Sequence, residues 1–537
     1  MRTVLLLGPH DSVTAAIAGR LAAGSEVVGE PREAREEIAA AVYRPRLRGR
    51  KLGLPDLEEA EARLRACAEA RPAKLVLISS AAVHSPRHDH PGHVGESVRT
   101  SSRNPVAQAW SELEELAERL LPPESGTELT ILRPAAVLAR DSPDYLSRLL
   151  HGKVAFTLPG HDPSVQLLSP EDLAEAVALA VERGRSGVYH VAPDGAVPLR
   201  AALRRAGARR IPLPRTVQRL ARAVAARLGW ADPAGQLDVI RYSSTVSNRR
   251  IKDELGFEPR QPEGGDTAFD PYGMDKDYIA AYGRTLFRFL RRRWWRIETR
   301  GLEHVPRQGR AVLVGVHRGF QPWDGVMTMH TIVTETGRYA RFLIHPGLIK
   351  FPFLANYMTK LGGIVACQEN ADWVLGNDEL LGFYPEGIRG AFSMYRDAYK
   401  LKKFGRDEFV KVALRNRAPI IPFVTVGSAE IYPILGKIEW SWFKRYTEWP
   451  FLPIAPPFVV PLPSKWHTRF LEPMPVHLHH SPAAADDPAI VREISQEVRR
   501  RMEEALQEML RKRRSIFFGS IFEGETDVEG TQGKEAT

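Results

Sequence analysis

Short apolar strands alternate with amphipathic helices through the first half of this chain. Strands are predicted at Thr3–Leu7, Val27–Val28, Lys74–Ser79, Leu129–Arg133 and Gly187–Val191, and helices at Val13–Ala23, Leu57–Glu69, Pro105–Leu121 and Pro170–Arg183. A helix between two parallel strands packs on a face of their sheet. The pattern therefore predicts an α/β domain with a doubly wound parallel sheet.

The second half shows the same alternation and predicts a second α/β sheet. It opens with an amphipathic helix, Tyr278–Arg296, and closes with a long helix, Pro488–Arg514. Its strands are predicted at Ala311–Val316, Arg341–Ile344, Gly363–Cys367, Gly382–Tyr384 and Ile420–Val426. In the closing helix, apolar residues recur at helical spacing from Ile490 to Leu510 and predict one buried face.

A stretch rich in Pro, Gly and Asp separates the two halves, at residues 260–272. Such composition is typical of a linker. We predict a first domain at 1–262, a linker at 263–274, a second domain at 275–522 and a disordered polar tail at 523–537.

Composition excludes several classes of protein. With 43% hydrophobic and 26% charged residues, the 537-residue chain is neither disordered overall nor collagen-like. Cys67 and Cys367 lie far apart and form neither a metal motif nor a disulfide framework, which suits a reducing cytosol. The net charge of +10 is compatible with nucleic acid, anionic membrane or anionic small molecules. No apolar run reaches the roughly 18–20 residues of a membrane-spanning helix.

A histidine and an aspartate follow the first strand of the second half. Gly315–Asp324 reads GVHRGFQPWD, which puts His317 at the end of the strand and Asp324 at the start of a helix. The carboxyl end of a strand in an α/β sheet faces the ligand crevice. A carboxylate on one ring nitrogen of His317 would fix its tautomer and make the other nitrogen a better general base.

A second block follows a later strand. Gly382–Gly390 reads GFYPEGIRG and places Glu386, Gly387 and Arg389 at a turn. Gly387 would let the backbone approach a ligand, and a guanidinium such as that of Arg389 suits phosphate. A buried strand within Ala418–Gly427 forms a third block. Taken singly, His317 is equally compatible with a structural histidine, and PEG with a common turn.

In order and spacing, the three blocks resemble the glycerolipid acyltransferase family, which includes lysophosphatidic acid and glycerol-3-phosphate acyltransferases. The resemblance implies that His317 is the general base, that Asp324 orients it, and that Glu386, Gly387 and Arg389 form the substrate-binding block for the acceptor. The implied donor is acyl-CoA or acyl-carrier protein, and the implied acceptor is a hydroxyl of a lysophospholipid or related glycerolipid. No cofactor, metal or covalent intermediate is required.

Two positions depart from the commonest family pattern. Six residues instead of four separate His317 from Asp324, although a branch of the family with a nearby proline looks similar. Gln368 stands where many members have an arginine for the acceptor phosphate. Arg338, Arg341 and Lys350 are possible substitutes.

Two segments predict contact with an anionic membrane surface. Arg284–Arg296 (RTLFRFLRRRWWR) mixes apolar and aromatic residues with arginines, and Ile438–Pro463 is rich in aromatic residues. Internal packing of both is the alternative. No nucleic-acid motif accompanies the basic residues. We expect a cytoplasmic protein bound peripherally to the inner face of the membrane.

The first half resembles the extended short-chain dehydrogenase/reductase family, of the NAD-dependent epimerase type. The matching blocks include VLLLGPHDSVTAAIAGRL, LVLISSAAVHS, LTILRPAAVLA and, last in the chain, SNRRIKDELGFEPR. The resemblance implies a Rossmann-like doubly wound sheet over roughly residues 1–260. It also implies a dinucleotide site at the loop that contains Gly8.

The residues that carry chemistry in that family are mostly absent. Of the GxxGxxG positions only Gly8 is a glycine, and Asp11 would place a negative charge against a pyrophosphate. Val106 and Trp110 replace the catalytic Tyr and Lys, which leaves a serine at 79 or 80. We expect a noncatalytic domain whose NAD(P) binding is weak or lost, and which could instead bind a lipid or act as an assembly surface.

Two other functions stay open. One is a bifunctional protein whose first half retains NAD(P)-dependent epimerase or reductase activity, which NADH turnover would reveal. The other is a non-enzymatic membrane scaffold, which would tolerate loss of His317.

Two histidine-rich runs receive structural interpretations. The run His84, His88, His90 and His93 is interpreted as a solvated loop rather than a zinc site, because it is proline-rich and has no partner cysteine. The run at 476–480, VHLHH, is interpreted as the end of a strand.

Overall fold

The computed structural model describes residues 2–30, 37–47, 53–88, 92–98, 104–142, 144–214, 216–217, 238–260, 269–319, 321–405, 407–456 and 460–522. The chain divides into two compact units. The first consists of residues 1–276 and 349–360, and the second contains the remaining described residues. Half of the predicted linker, residues 263–268, and the predicted tail lie outside the described residues.

A six-stranded parallel sheet forms the centre of the first unit. Its strands are β1 (Arg2–Leu7), β2 (Ser25–Val28), β3 (Ile38–Tyr43), β4 (Lys74–Ile78), β5 (Glu128–Pro134) and β10 (Gly187–Val191). They lie in the order β2–β1–β3–β4–β5–β10, and every neighbouring pair is parallel. The order reverses between β1 and β3, where open α/β sheets form a ligand crevice.

Helices cover both faces of this sheet. Helices α1 (Ser12–Ala22), α5 (Pro170–Arg183) and α7 (Arg249–Leu255) share one buried apolar cluster with the strands. Helices α2 (Leu57–Glu69) and α3 (Pro105–Leu120) share a cluster on the opposite face. The predicted doubly wound, Rossmann-like α/β architecture is thus confirmed.

Smaller elements complete the first unit. Three two-stranded pairs are formed by β6 (Ala136–Val137) with β9 (Leu167–Leu168), β7 (Val154–Thr157) with β12 (Arg209–Pro212), and β8 (Ser164–Val165) with β11 (Val197–Pro198). Its further helices are α4 (Tyr145–His151), α6 (Leu199–Arg205) and α11 (Pro352–Lys360). Helix α11 joins this unit through a hydrogen bond of 3.0 Å from the Asp275 amide to the Lys360 carbonyl.

A seven-stranded mixed sheet forms the centre of the second unit. Its strands are β13 (Glu298–Arg300), β14 (Ala311–Gly315), β15 (Ala340–Ile344), β16 (Ile364–Val365), β17 (Leu380–Phe383), β18 (Ile420–Val426) and β21 (His467–Phe470). The order is β13–β21–β18–β14–β17–β15–β16, and only β18 and β21 pair antiparallel. β14 and β17, which precede the two predicted motifs, are therefore neighbours.

The helices of the second unit are α8 (Lys276–Tyr282), α9 (Trp323–Thr336), α10 (Pro346–Ile349), α12 (Gln368–Gly376), α13 (Ile388–Ala391), α14 (Glu408–Arg415), α15 (Ser441–Thr447), α16 (Val476–His479) and α17 (Pro488–Lys512). Strands β19 (Gly436–Ile438) and β20 (Leu452–Ile454) form a hairpin around α15. Within α17, Ile494, Val498 and Met502 are buried, as its apolar spacing predicts.

Helix α8 continues into two π-helical segments, Gly283–Phe287 and Leu290–Trp294. Phe287 and Leu290 are buried, and the ring of Trp295 stacks on that of Trp466 with centroids 4.6 Å apart. These three side chains pack inside the fold, whereas Leu286 and Phe289 of the same segment remain exposed. Within the described residues, no helix is both long and apolar enough to cross a bilayer.

Both interpretations of the histidine runs are wrong. His84 is buried, and its Nε2 lies 2.9 Å from Nε2 of His190, so the first run is not a solvated loop. Burial lowers the pKa of His93 to about 4. His90 lies outside the described residues, and the run at 476–480 forms the short helix α16 rather than a strand.

A buried histidine on α9 predicts acid sensitivity. Burial lowers the pKa of His330 to about 4, from an ordinary value of 6.5. Between these values the unfolded chain takes up a proton that the folded protein does not, so stability falls as the pH falls. We expect His330→Gln to remove roughly 1 kcal/mol per pH unit from the dependence of unfolding free energy between about pH 6.5 and 4.

Urea unfolding of the full chain across that range provides the measurement. The matched control is His10→Gln, since His10 is exposed. An equal pH slope in the native protein and in His330→Gln would contradict the assignment.

Candidate active site

The central strand β14 delivers His317 to the carboxyl edge of the second sheet. All five residues of β14 are buried, and a Cβ added at Gly315 would lie 2.2 Å from the ring of Phe423. A glycine therefore lets the strand pass this ring closely. His317 follows two residues later and stays partly exposed.

Asp324 meets His317 despite the six residues between them. Asp324 Oδ2 lies 2.7 Å from Nδ1 of His317, and the Asp324 side chain is buried. The backbone amides of Arg318 and Gly325 donate to the two carboxylate oxygens at 2.9 and 2.8 Å. Because the Asp324 carboxylate can only accept a hydrogen bond, Nδ1 of His317 carries the hydrogen and donates it. Nε2 then keeps its lone pair.

The six-residue segment between His317 and Asp324 begins with a tight turn at Gly319. Gly319 has φ of +87°, and a Cβ there would lie 2.8 Å from the carbonyl oxygen of Ser428. Pro322 is the N-cap of helix α9, whose first turn contains Asp324. The extra residues are thus accommodated before the helix starts, and the aspartate keeps its place beside the imidazole.

Tyr384, at the end of β17, packs against the imidazole. The rings of Tyr384 and His317 stack with centroids 4.7 Å apart and planes at 27°. Phe342 stacks on Tyr384 in turn, at 5.4 Å. Burial raises the pKa of Tyr384 well above 10, so its phenol stays neutral. The motif comparison missed this side chain, although its position directly before PEG is visible in the sequence.

A buried ion pair connects the two motifs. Both oxygens of the Glu386 carboxylate bond to the guanidinium of Arg318, at 2.5 and 3.0 Å, and the Lys402 amide donates to it at 2.7 Å. Arg318 is buried and also donates to the carbonyls of Ala398, Lys400 and His317. The Glu386 carboxylate is thus enclosed by protein groups that satisfy both of its oxygens.

Gly387 and Arg389 form the exposed part of the second motif. Gly387 has φ of 57° with ψ of −152°, a backbone conformation that residues with a Cβ avoid. Arg389 is exposed, and its guanidinium forms no ion pair with any described residue. Lys402, which sequence reasoning missed, donates from Nζ to the Arg389 carbonyl at 2.7 Å.

Two of the three cations suggested for the acceptor phosphate, Arg338 and Arg341, bond to backbone carbonyls. Arg338 donates to the carbonyls of Pro306 and Asp378, at 2.7 and 2.6 Å. Arg341 is completely buried and donates to the carbonyl of Gly362 at 2.8 Å. The Arg341 guanidinium is therefore closed off from a phosphate in solvent, whereas Arg338 stays partly exposed.

In the first unit, side chains at the loop after β1 bond to one another and to Arg44. The Asp11 carboxylate accepts from the Thr14 amide at 2.9 Å and caps α1. Arg44, which follows β3, lies 2.6 Å from both Asp11 oxygens and donates to the Thr14 hydroxyl at 3.0 Å. A Cβ at Gly8 would lie 3.2 Å from that hydroxyl oxygen. The loop around Gly8 is therefore packed against Arg44.

The residues that occupy the dehydrogenase positions also have structural roles. Ser79 is buried and donates to Glu114 at 2.5 Å, and Glu114 in turn accepts from Arg133. Trp110 donates from its indole nitrogen to the Gly53 carbonyl at 3.0 Å.

Comparisons with known proteins agree with this division. A model of the acyltransferase family matches residues 296–426. The Mycobacterium tuberculosis protein "Uncharacterized protein Rv0502" is 36% identical over 269 residues, which are 48% of this chain and 74% of that protein. The Bos taurus protein "DGAT1/2-independent enzyme synthesizing storage lipids" is 27% identical over 224 residues, 42% of this chain and 61% of that protein.

The second unit thus contains an acyltransferase domain. The chain belongs to the same family as the mycobacterial protein Rv0502.

The N-terminal half has structural neighbours among epimerases and short-chain dehydrogenases. "MoeE5 in complex with UDP-glucuronic acid and NAD" aligns at 16% identity with a TM-score of 0.37, over 50% of this chain and 97% of that one. Human epimerase family protein SDR39U1 with NADPH aligns at 20% identity with a TM-score of 0.39, over 49% of this chain and 96% of that one. The fold assignment of this half rests on the strand order and helix packing described above.

The buried ion pair predicts that Glu386 matters for stability. Glu386→Gln leaves the Arg318 guanidinium buried without its counter-charge, and we expect a loss of roughly 3–5 kcal/mol in unfolding free energy. Arg389→Gln changes an exposed side chain of the same motif and should alter stability by less than about 0.5 kcal/mol. Denaturant unfolding of both variants measures the difference. A Glu386→Gln protein of native stability but without activity would instead indicate direct contact with the acceptor.

Proposed function

We propose that this protein transfers an acyl chain from acyl-CoA or acyl-carrier protein to a hydroxyl of a lysophospholipid or related glycerolipid. The observation that carries the proposal is the contact between His317 and Asp324 at the carboxyl end of the central strand, inside the segment that the acyltransferase family model matches.

The chemistry requires one base and no covalent intermediate. Nε2 of His317 accepts the proton of the acceptor hydroxyl while its oxygen attacks the thioester carbonyl carbon. The tetrahedral intermediate then breaks its C–S bond, and the imidazolium returns the proton to the leaving thiolate. Asp324 stabilises the imidazolium and holds the ring, while Tyr384 fixes the plane of that ring by stacking.

The acceptor is held on the side of the second motif. Arg389 offers an exposed guanidinium and Lys402 a neighbouring ammonium, and both suit a phosphate. Gly387 exposes backbone at the turn between them. Glu386 acts as a positioning residue, because its carboxylate is satisfied by Arg318 and the Lys402 amide.

The name of the bovine relative, which refers to synthesis of storage lipids, supports a glycerolipid acceptor. Gln368 supplies no positive charge and is hydrogen-bonded to Asp372 at 2.8 Å. A neutral glycerolipid is therefore an acceptor to be compared directly with lysophospholipids and glycerol-3-phosphate.

Loss of the base should abolish transfer while the fold is retained. We expect His317→Ala and Asp324→Asn to lower kcat by about 10²–10⁴-fold, since general base catalysis contributes that much. The measurement is release of free CoA from acyl-CoA with a panel of lysolipids, glycerol-3-phosphate and neutral acceptors.

Two controls sharpen this experiment. His479→Ala changes an exposed histidine of the same unit and should leave kcat unchanged. Arg389→Gln should raise the apparent KM for a phosphorylated acceptor more than for a neutral one. Full activity of His317→Ala would disprove the proposed role of the histidine.

Membrane contact is proposed through an aromatic hairpin, defined as residues 435–454. The side chains of Trp440, Trp442 and Tyr446 are about half exposed, at 51%, 62% and 52%, and the last two rings stack at 5.6 Å. Lys444 and Arg445 are exposed on the same helix. Aromatic rings enter the interfacial region of a bilayer while cationic groups reach anionic headgroups. We place this surface on the inner face of the membrane.

Removal of the two indoles should weaken membrane binding. We expect Trp440→Ser with Trp442→Ser to reduce binding to phosphatidylcholine–phosphatidylglycerol vesicles by about tenfold or more, because apolar contact with the bilayer is lost. Vesicle co-sedimentation measures this binding. Phe156→Ser, which changes an equally exposed ring of the first unit, should bind as the native protein does. Equal binding by the double variant would remove the hairpin from the proposal.

A further inference from the structure

Aromatic rings form a continuous row from the exposed surface of the aromatic hairpin to the second motif of the candidate active site. Trp440 contacts Trp442 and Phe443, with ring centroids 5.4 and 6.4 Å apart. Phe443 contacts Trp449 at 5.8 Å, and Trp449 contacts Phe392 at 5.3 Å. The aromatic row is defined as Trp442, Trp440, Phe443, Trp449, Phe392 and Phe451.

The inner end of the row lies beside the backbone of His317. Phe392 is buried and directly follows helix α13, which belongs to the second motif, and the ring of Phe451 lies 5.5 Å from it. Two residues earlier, a Cβ added at Gly390 would lie 3.1 Å from the His317 carbonyl oxygen and 2.9 Å from Cβ of Glu386. The row therefore ends at the side of the site that the proposed function assigns to the acceptor.

A turn of unusual backbone conformation brings the hairpin back to the site after α15. Glu448 ends this helix with φ of +61°, a left-handed conformation that residues with a Cβ seldom adopt. Its amide donates to the Lys444 carbonyl at 2.9 Å, and the Trp449 amide donates to the Thr447 hydroxyl at 3.1 Å. A Cβ at Gly347, just after β15, would lie 3.1 Å from the Thr447 carbonyl oxygen. The base of the hairpin thus packs against the carboxyl edge of the second sheet.

Solvent exposure decreases along the row towards the site. Trp440 and Trp442 are exposed, Phe443 and Trp449 are partly exposed, and Phe392 is buried. Rings that formed only the core of the hairpin would be buried, whereas most of this row stays open to contact from outside. An apolar surface of this kind shields a ligand chain from water along its length.

We propose that the aromatic row binds the acyl chain of the lipid acceptor as the acceptor passes from the bilayer to His317. The acyl class follows from the apolar rings, from their outer end on the surface proposed to contact the membrane, and from their inner end beside the second motif. Lys444 and Arg445, exposed on the same helix as Trp442, suit the phosphates of lipid headgroups. The inference rests on the proposed function for its acceptor and adds the surface that holds the acceptor's chain.

Photolabelling of the full-length protein on vesicles tests the row. The probe is a lysophosphatidic acid with a diazirine in its acyl chain, carried in phosphatidylcholine–phosphatidylglycerol vesicles. After irradiation, mass spectrometry should locate the label in residues 440–451 and also in residues 388–392. The same diazirine chain on CoA, supplied without vesicles, should leave both segments unlabelled.

Variants that interrupt the row give the decisive comparison. Phe443→Ser should lower labelling of residues 388–392 by about tenfold or more, because a gap in the apolar surface exposes the chain to water. Vesicle binding should persist in this variant, since Trp440 and Trp442 are kept. Trp449→Ser interrupts the row one ring further in and gives a second comparison if Phe443→Ser destabilises the hairpin. Phe518→Ser, which changes an exposed ring outside the row, should label as the native protein does.

The variant of the base separates this proposal from the proposed reaction. His317→Ala should lose CoA release and still label residues 388–392 as the native protein does, because the row makes no use of the imidazole. Full CoA release by His317→Ala would disprove the reaction, and the labelling pattern would still decide whether the row binds the chain.

Three results would overturn the proposal. They are label confined to residues 440–446, unchanged labelling of residues 388–392 in both interrupted variants, and labelling of the row by the CoA probe. The first would reduce the hairpin to a membrane contact, the second would make the row a structural feature, and the third would assign it to the donor.

Discussion

The buried pair of Arg318 and Glu386 holds the second unit's site together. Ionised groups inside a protein are stable only when nearly every donor and acceptor is satisfied. Arg318 meets this condition by bonding to Glu386 and to the carbonyls of Ala398 and Lys400, which lie far along the chain. The same guanidinium bonds the carbonyl of His317. The backbone of His317 is therefore held in place partly by a charge pair to which His317 does not itself belong.

The two units illustrate that fold and chemistry depend on different residues. In the first unit, buried apolar clusters cover both faces of a parallel sheet and need nothing from the loops at its carboxyl edge. Those loops contain Asp11, Arg44 and Ser79, whose partners are other protein groups. A sheet can thus persist after the ligand chemistry at its edge has changed, because the hydrophobic term that stabilises it lies elsewhere.

Patterns that act locally were predictable from the sequence. Continuous apolar runs located the central strands, and helical spacing located the buried face of α17. The strand Ile38–Tyr43 was missed because three of its six residues are alanines, which have little strand preference. Among the predicted site residues, Asp324 lies 2.7 Å from His317, and Glu386 bonds to Arg318, the residue that follows His317. The partner of Glu386 did not emerge, because Arg318 is 68 residues away and its burial depends on tertiary contacts.

Sequence interpretations that depended on the solvent exposure of individual side chains were the least successful. His84 and Trp295 both looked polar or interfacial in sequence, yet each is buried against another ring. Whether an aromatic side chain on an amphipathic helix faces solvent depends on what the rest of the chain places beside it. Trp466, the partner of Trp295, lies on a segment that enters the sheet only much later in the chain.

Because of helix α11, no single division of the sequence separates the two units. Residues 349–360 belong to the first compact unit although they lie inside the sequence of the second. Lys360 Nζ lies 3.6 Å from a carboxylate oxygen of Asp162, which anchors the helix by charge as well as by backbone. Recombination that exchanged either half at the linker would therefore separate α11 from the rest of the first unit. The first unit is therefore complete only when both parts of the sequence are present.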